Sequence, residues 1–186
     1  MKDRANKVLH TSTPEADRSP LETAALMASR YLRSTSKRDF IVIPILVLIE
    51  QAISRRRMRP WGIPLMVWGY LQYRFSGNYR VRMGGGGPGV SGPPPEHLVM
   101  SGIYRVTRNP MYTGHIIFLF GLAICTSSPS AITVAFGVVP WFRQRIIENE
   151  QQLRRLFGDQ FDDYATKVGR WGPGWTILAG ARQASI

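Results

Sequence analysis

Apolar residues along this chain come in blocks, not in a regular alternation. The first 38 residues are polar, and so are residues 74–97. Four apolar segments occupy residues 40–53 ("FIVIPILVLIEQAI"), 60–73 ("PWGIPLMVWGYLQY"), 116–125 and 131–142. Each is short against the roughly 20 residues a helix needs to span a bilayer. They carry almost no charge. Trp61, Trp68 and Trp141 lie towards their ends, and arginines flank them, where long side chains can snorkel to water. The pattern predicts an all-α integral membrane helical bundle of about four short transmembrane helices. The competing reading is a soluble all-α fold.

No Lys or Arg lies between His115 and Arg143, and the segment is split by the uncharged turn "TSSPS". Residues 113–147 therefore predict a helical hairpin that enters and leaves on one basic, cytoplasmic face. The first two segments obey the rule less well. If the glycine-rich loop at 84–95 is cytoplasmic, the basic turn "SRRRMR" between them falls on the opposite face. That loop, "GGGGPGVSGPPP", has no strand before it and lacks the P-loop lysine, so it reads as a proline-stiffened flexible linker.

At the start, residues 1–18 are expected to be disordered. Ser19, Pro20 and Glu22 then form a capping box, and Leu21, Ala24, Ala25, Ala28 and Leu32 share one face. This predicts a short amphipathic helix, lying on a membrane surface or packed on the protein's own core. The division is a polar segment, 1–38, and a main domain, 39–186. From Arg143 onwards a helix should continue to Phe157 with Gly158 as its cap. A second helix should carry Phe161, Tyr164 and Val168.

A formal net charge of +12 over 186 residues narrows the partners. The basic residues sit at the ends of apolar segments, not on one continuous face, which argues against nucleic acid and for an anionic membrane surface. The single cysteine, Cys125, cannot form an internal disulfide, and no His/Cys spacing suits zinc, so no metal is expected. The opening residues have no apolar core and predict no secretory signal.

The candidate chemistry begins at "SGIYRVTRNPMYTGH", residues 101–115. Pro110 disfavours a helical Asn109, so the backbone should break just before the hairpin. At membrane depth, broken backbone is tolerated only inside protein or along a cavity, where its free polar groups can grip a ligand. Without a ligand, "RNP" is merely a helix stop with interfacial arginines. Further on, Glu150 shares a stripe with Ile146, Leu153 and Phe157, and a carboxylate there needs a partner. The plain solution is an i,i+4 pair with Arg154. Arg145, Glu148, Asn149 and Gln152 form a polar stripe beside it. His115 is a weaker candidate for a base.

"LVMSGIYRVTRNPMYTG", followed across a hairpin by "ENEQQLRRLFGDQFDDYATKVGRW", resembles the isoprenylcysteine carboxyl methyltransferase family and the related phospholipid methyltransferases. The likeness covers about residues 98–171. It implies an integral membrane methyltransferase that uses S-adenosyl-L-methionine without a Rossmann domain and acts on a lipid-like acceptor. It places the protein in a membrane, the bacterial inner membrane being expected, with the cofactor site facing the cytoplasm. By this resemblance Leu98, Val99, Tyr104, Arg108, Asn109, Pro110 and Tyr112 line the cofactor region, about 96–171. Glu148 and Asn149 reach the cofactor's polar groups, Arg145 and Glu150 take the catalytic roles with Arg145 on the acceptor side, and Glu148 or Glu150 stands in for the family's first glutamate. The first glutamate of the family's pair is Asn149 here. Two readings compete: a non-catalytic membrane-surface protein binding anionic lipid, and a sterol-type membrane reductase using NADPH.

Overall fold

A computed structural model describes residues 34–87 and 93–172. The amphipathic helix expected before residue 33 and the tail after 172 lie outside the described residues. Helix α1, residues 35–54, opens with one α-turn, widens into a π-turn at Arg38–Val42 and continues as Ile43–Ser54. A 3-10 turn, Pro60–Gly62, leads into α2, Ile63–Gly84. Helix α3 is Pro110–Thr126, α4 is Pro129–Phe157 and α5 is Asp159–Lys167. Proline within the first turn starts the 3-10 turn, α2, α3 and α4, where its missing N–H costs nothing. Ser128 caps α4 by accepting from the Ala131 amide.

Every apolar segment read from the sequence is helical, and the described residues contain no strand. The hairpin is α3 and α4, turning at Ser127 in the left-handed region (φ 49°). The expected transmembrane lengths are a different matter. Among the described residues no helix is long and apolar enough to cross a membrane. α3 has 17 residues, and the second half of α4 is charged.

Helices α2 and α3 run antiparallel along a glycine seam. Gly62 faces Gly121 and Gly69 faces Gly114, each pair separated from the next by seven residues. A Cβ at Gly69 would sit 2.5 Å from the Phe118 amide nitrogen, and one at Gly114 would sit 2.7 Å from the Gly69 carbonyl oxygen. No methyl group fits, so the two backbones touch, as small residues allow in membrane bundles. Buried Gln72 and Ser76 continue the seam, and the Gln72 amide donates to the Pro110 carbonyl at 3.0 Å. This fixes the "RNP" break against the middle of α2.

Two polar links hold α1. The Glu50 carboxylate accepts from Ser128 at 2.6 Å and from Ser130, tying the end of α1 to the hairpin turn. At the other end Asp39, fully buried, lies 3.0 Å from the buried His115 and accepts from Arg38. Phe40, Tyr73 and Phe142 surround the imidazole. His115 thus packs between helices and lies outside the cleft described below.

The glycines give a paired expectation. Gly114→Ala should lower the thermal midpoint in detergent, overpacking the seam by about 1–3 kcal/mol. Gly137 lies in α4 with nothing within 4 Å of a Cβ. There Gly137→Ala should stabilise by about 0.5–1 kcal/mol, because a free helical glycine is the weaker helix former.

Candidate functional site

Two neighbouring stretches and a third from far along the chain meet beside the second half of α2. The first is the return of the glycine-rich loop. The amides of Glu96 and His97 both donate to the Gly84 carbonyl, at 2.8 and 3.0 Å. The described ends of the loop are therefore tied together, which the linker reading did not anticipate. Gly84 permits it: a Cβ there would lie 2.8 Å from Val99. Residues 95–99 are thereby held beside α2.

The second stretch is the turn from the 3-10 helix Gly102–Arg105 to Pro110. It is stapled to the third, the chain leaving α5. Tyr164 donates to the Tyr104 carbonyl at 2.6 Å, and Tyr104 donates to the Ser76 carbonyl at 3.2 Å. The Arg108 amide donates to Gly169 at 3.0 Å, and Thr107 donates to the Arg170 carbonyl at 3.0 Å. Asn109 takes the non-helical conformation expected before a proline (φ −130°, ψ 51°).

Glu150 joins all of this to α4. Its carboxylate accepts two bonds from Arg170 to one oxygen, at 3.1 and 2.8 Å, and one from the Asn109 amide at 3.1 Å. Arg108 lies 3.4 Å away. The i,i+4 pairing with Arg154 does not form. Arg154 reaches across to Asp162 at 2.6 Å instead. A buried carboxylate requires several donors, and Arg170 and Asn109 supply them in forked, charge-assisted form.

In front of this hub opens a narrow cleft of about 40 Å³. Eight expected site residues line it: Leu98, Val99, Tyr104, Arg108, Asn109, Pro110, Tyr112 and Asn149. Three are placed elsewhere. Glu150 lies behind the wall, holding it. Glu148 is half-exposed and faces Arg145 at 3.4 Å. Arg145 is also partly exposed and stacks over Trp141 at 5.6 Å. Sequence reasoning missed Arg80, His97, Met111, Leu153 and Tyr164 as cleft residues. Leu153 had a signal, standing one helical turn from Asn149. Arg80 had none, because α2 shows no clear apolar face.

No carboxylate lines the described cleft, while two guanidinium groups do. The Arg108 Nε is buried without a hydrogen-bond partner, a donor waiting on an anionic or polar group. Burial lowers the Arg108 pKa below its ordinary value, and Glu150 opposes that shift. Burial also pushes the Tyr104 and Tyr164 phenols up, so both remain protonated donors.

Glu150→Gln leaves two arginines facing a neutral group. It should cost about 2–3 kcal/mol of stability, short of a fully buried pair because Arg170 is partly exposed. Thermal unfolding in detergent reads it. The raised phenols set an alkaline limit: unfolded tyrosines ionise near pH 10 while the folded ones do not, so stability should hold below about pH 10 and fall above it. Tyr164→Phe should lose about 1 kcal/mol at neutral pH and make that alkaline fall shallower.

The same segments carry the likeness to known proteins. The family model described as "Phospholipid methyltransferase" matches residues 61–160, more than half of the chain. A "Probable protein-S-isoprenylcysteine O-methyltransferase" of Oryza sativa subsp. indica is 40% identical over 73 residues, 38% of each chain. "Protein-S-isoprenylcysteine O-methyltransferase A" of Arabidopsis thaliana is 40% identical over 82 residues, 42% of this chain and 41% of the relative. The Mus musculus "Protein-S-isoprenylcysteine O-methyltransferase" is 33% identical over 72 residues, 38% of this chain and 25% of the relative. The matches thus span about two fifths or less of these relatives. They are eukaryotic, and lend no support to a bacterial membrane. No solved structure matches. With the matched stretch running from the start of α2 to the start of α5 and containing the hairpin and most of the cleft, the chain belongs to the phospholipid methyltransferase family.

Proposed function

We propose that this protein transfers a methyl group from S-adenosyl-L-methionine to a lipid-like acceptor at a membrane–water boundary. The observation that carries the reading is the convergence of two distant motifs on one cleft. The turn at 104–112 and α4 around Asn149 form its walls, locked from behind by Glu150.

The cleft's chemistry fits such a donor. Arg108, with its unpartnered Nε, suits the donor's carboxylate. Leu98, Val99 and Leu153 offer apolar contact to an adenine, and the faces of Tyr104, Tyr112 and Tyr164 suit a sulfonium through cation–π attraction. Asn149 is the polar side chain that α4 presents to the cleft, buried at 6% exposure. Once bound, S-adenosyl-L-methionine supplies an electrophilic methyl group for in-line displacement. The protein's share is alignment of donor and acceptor and exclusion of water.

The acceptor side is supported by the apolar perimeter. Leu46 and Ile53 on α1, with Trp61, Trp68 and Phe75 on and just before α2, are 58–79% exposed. A monomer in water rarely exposes so many large apolar side chains to this degree. A bundle of short helices seated in one membrane would cover it, with the charged half of α4 and α5 in the aqueous phase. Arg145, partly exposed on Trp141 beside Glu148, is placed to orient an acidic head group arriving there.

The test is methyl transfer from labelled S-adenosyl-L-methionine into extracted membrane lipids by the full chain in detergent. Label should enter the lipid phase, base-labile for an ester and base-stable for an amine. Protein that neither binds the donor nor labels any lipid would exclude the reading. Asn149→Ala should weaken donor binding about ten-fold by calorimetry, the loss of one well-buried hydrogen bond.

A further inference from the structure

The arginine-rich turn "SRRRMR" plays no part in the cleft. It lies at the opposite end of the bundle and is held there. The Gln51 side chain donates to the Arg56 carbonyl at 2.9 Å, and the Arg59 amide donates to the Cys125 carbonyl at 2.7 Å. Arg55, Arg56, Arg57 and Arg59 are all exposed. Among the described residues no carboxylate makes an ion pair with any of them, and the nearby Glu50 is engaged by Ser128 and Ser130.

The turn opens directly onto a groove of about 460 Å³ between the Pro60–Gly62 turn, α3 and α4. Arg59 and Ser127 are its polar lining residues. Trp61, Phe120, Ile124, Ile132 and Phe136 make its walls apolar. Trp61 and Phe136 are 79% and 64% exposed. Tyr112 lines the cleft and Phe120 and Ile124 line this groove, so the two sites lie ~12–18 Å apart along α3.

We propose that this groove binds an anionic phospholipid, independently of methyl transfer. One acyl chain lies along Trp61, Phe120, Ile124 and Phe136. The phosphodiester is taken by Arg59 at the groove's rim, with Arg55 and Arg57 of the same turn adding positive potential. Charge and shape together select this occupant. A soluble anion would use the arginines and leave the apolar walls wet. A zwitterionic lipid would use the walls and gain little from Arg55, Arg57 and Arg59. The site also gives a reason for a basic turn on the side where the positive-inside pattern does not call for one: the arginines serve a bound lipid.

Native mass spectrometry of the detergent-solubilised full chain tests this, with phosphatidylglycerol and phosphatidylcholine of identical acyl chains at equal concentration. Phosphatidylglycerol should be retained over phosphatidylcholine by about five-fold for each contributing arginine. R57Q should lower the ratio by about five-fold, and R55Q/R57Q/R59Q should bring it close to one. Phe136→Ala should reduce retention of both lipids together. Unchanged thermal midpoints would show that these exposed substitutions leave the fold intact. Equal retention of the two lipids by the unmodified protein overturns the proposal, and so does a phosphatidylglycerol preference that survives in R55Q/R57Q/R59Q.

Discussion

A single buried carboxylate organises the functional end of this molecule. Glu150 sits on an otherwise apolar stripe of α4, where an unpaired charge would be costly. Its donors come from elsewhere: Asn109 and Arg108 precede α3, and Arg170 follows α5. Satisfying one group therefore ties two separate segments to α4. The cleft is what remains in front of that tie. Remove the charge and the walls lose their common anchor, even though no cleft-lining side chain has been altered.

Beneath the hub lies a second constraint, geometric and not electrostatic. The glycine pairs between α2 and α3 let two backbones touch, which sets the height of the α3 start against Gln72 and Ser76. Only at that height can Tyr104 reach the Ser76 carbonyl. The two ends of the bundle then differ in kind. One carries the polar cleft and a network of tyrosine hydrogen bonds. The other carries an apolar groove beneath a basic turn, closed by Glu50 on the hairpin serines.

Local signals made the helices and the break at Asn109 legible from sequence. Pro110 dictates its predecessor's conformation, and the uncharged run after His115 dictates the hairpin. The partner of Glu150 was not legible. Helical periodicity points to Arg154, four residues on, but the carboxylate pairs with Arg170, which reaches it only after α5 folds back. The seam was hidden for a related reason, since glycines seven apart in two distant segments become a pattern only once the helices are antiparallel neighbours. His97 enters the cleft, opposite Arg80 of α2, because the chain returning from the glycine-rich loop closes on the Gly84 carbonyl. Loop composition alone suggested freedom at that point. Arg145 and Glu148 fell on the expected polar stripe, and the structure pairs them with each other outside the cleft.

The most direct test is hydrogen–deuterium exchange on the full chain in detergent, with and without S-adenosyl-L-methionine. Slowed exchange appearing together in residues 95–99, 104–112 and 149–153 is the predicted result, because one ligand would bridge all three walls. Protection confined to the opposite groove near Trp61 and Phe136, or no protection anywhere, would contradict a donor site built on Glu150.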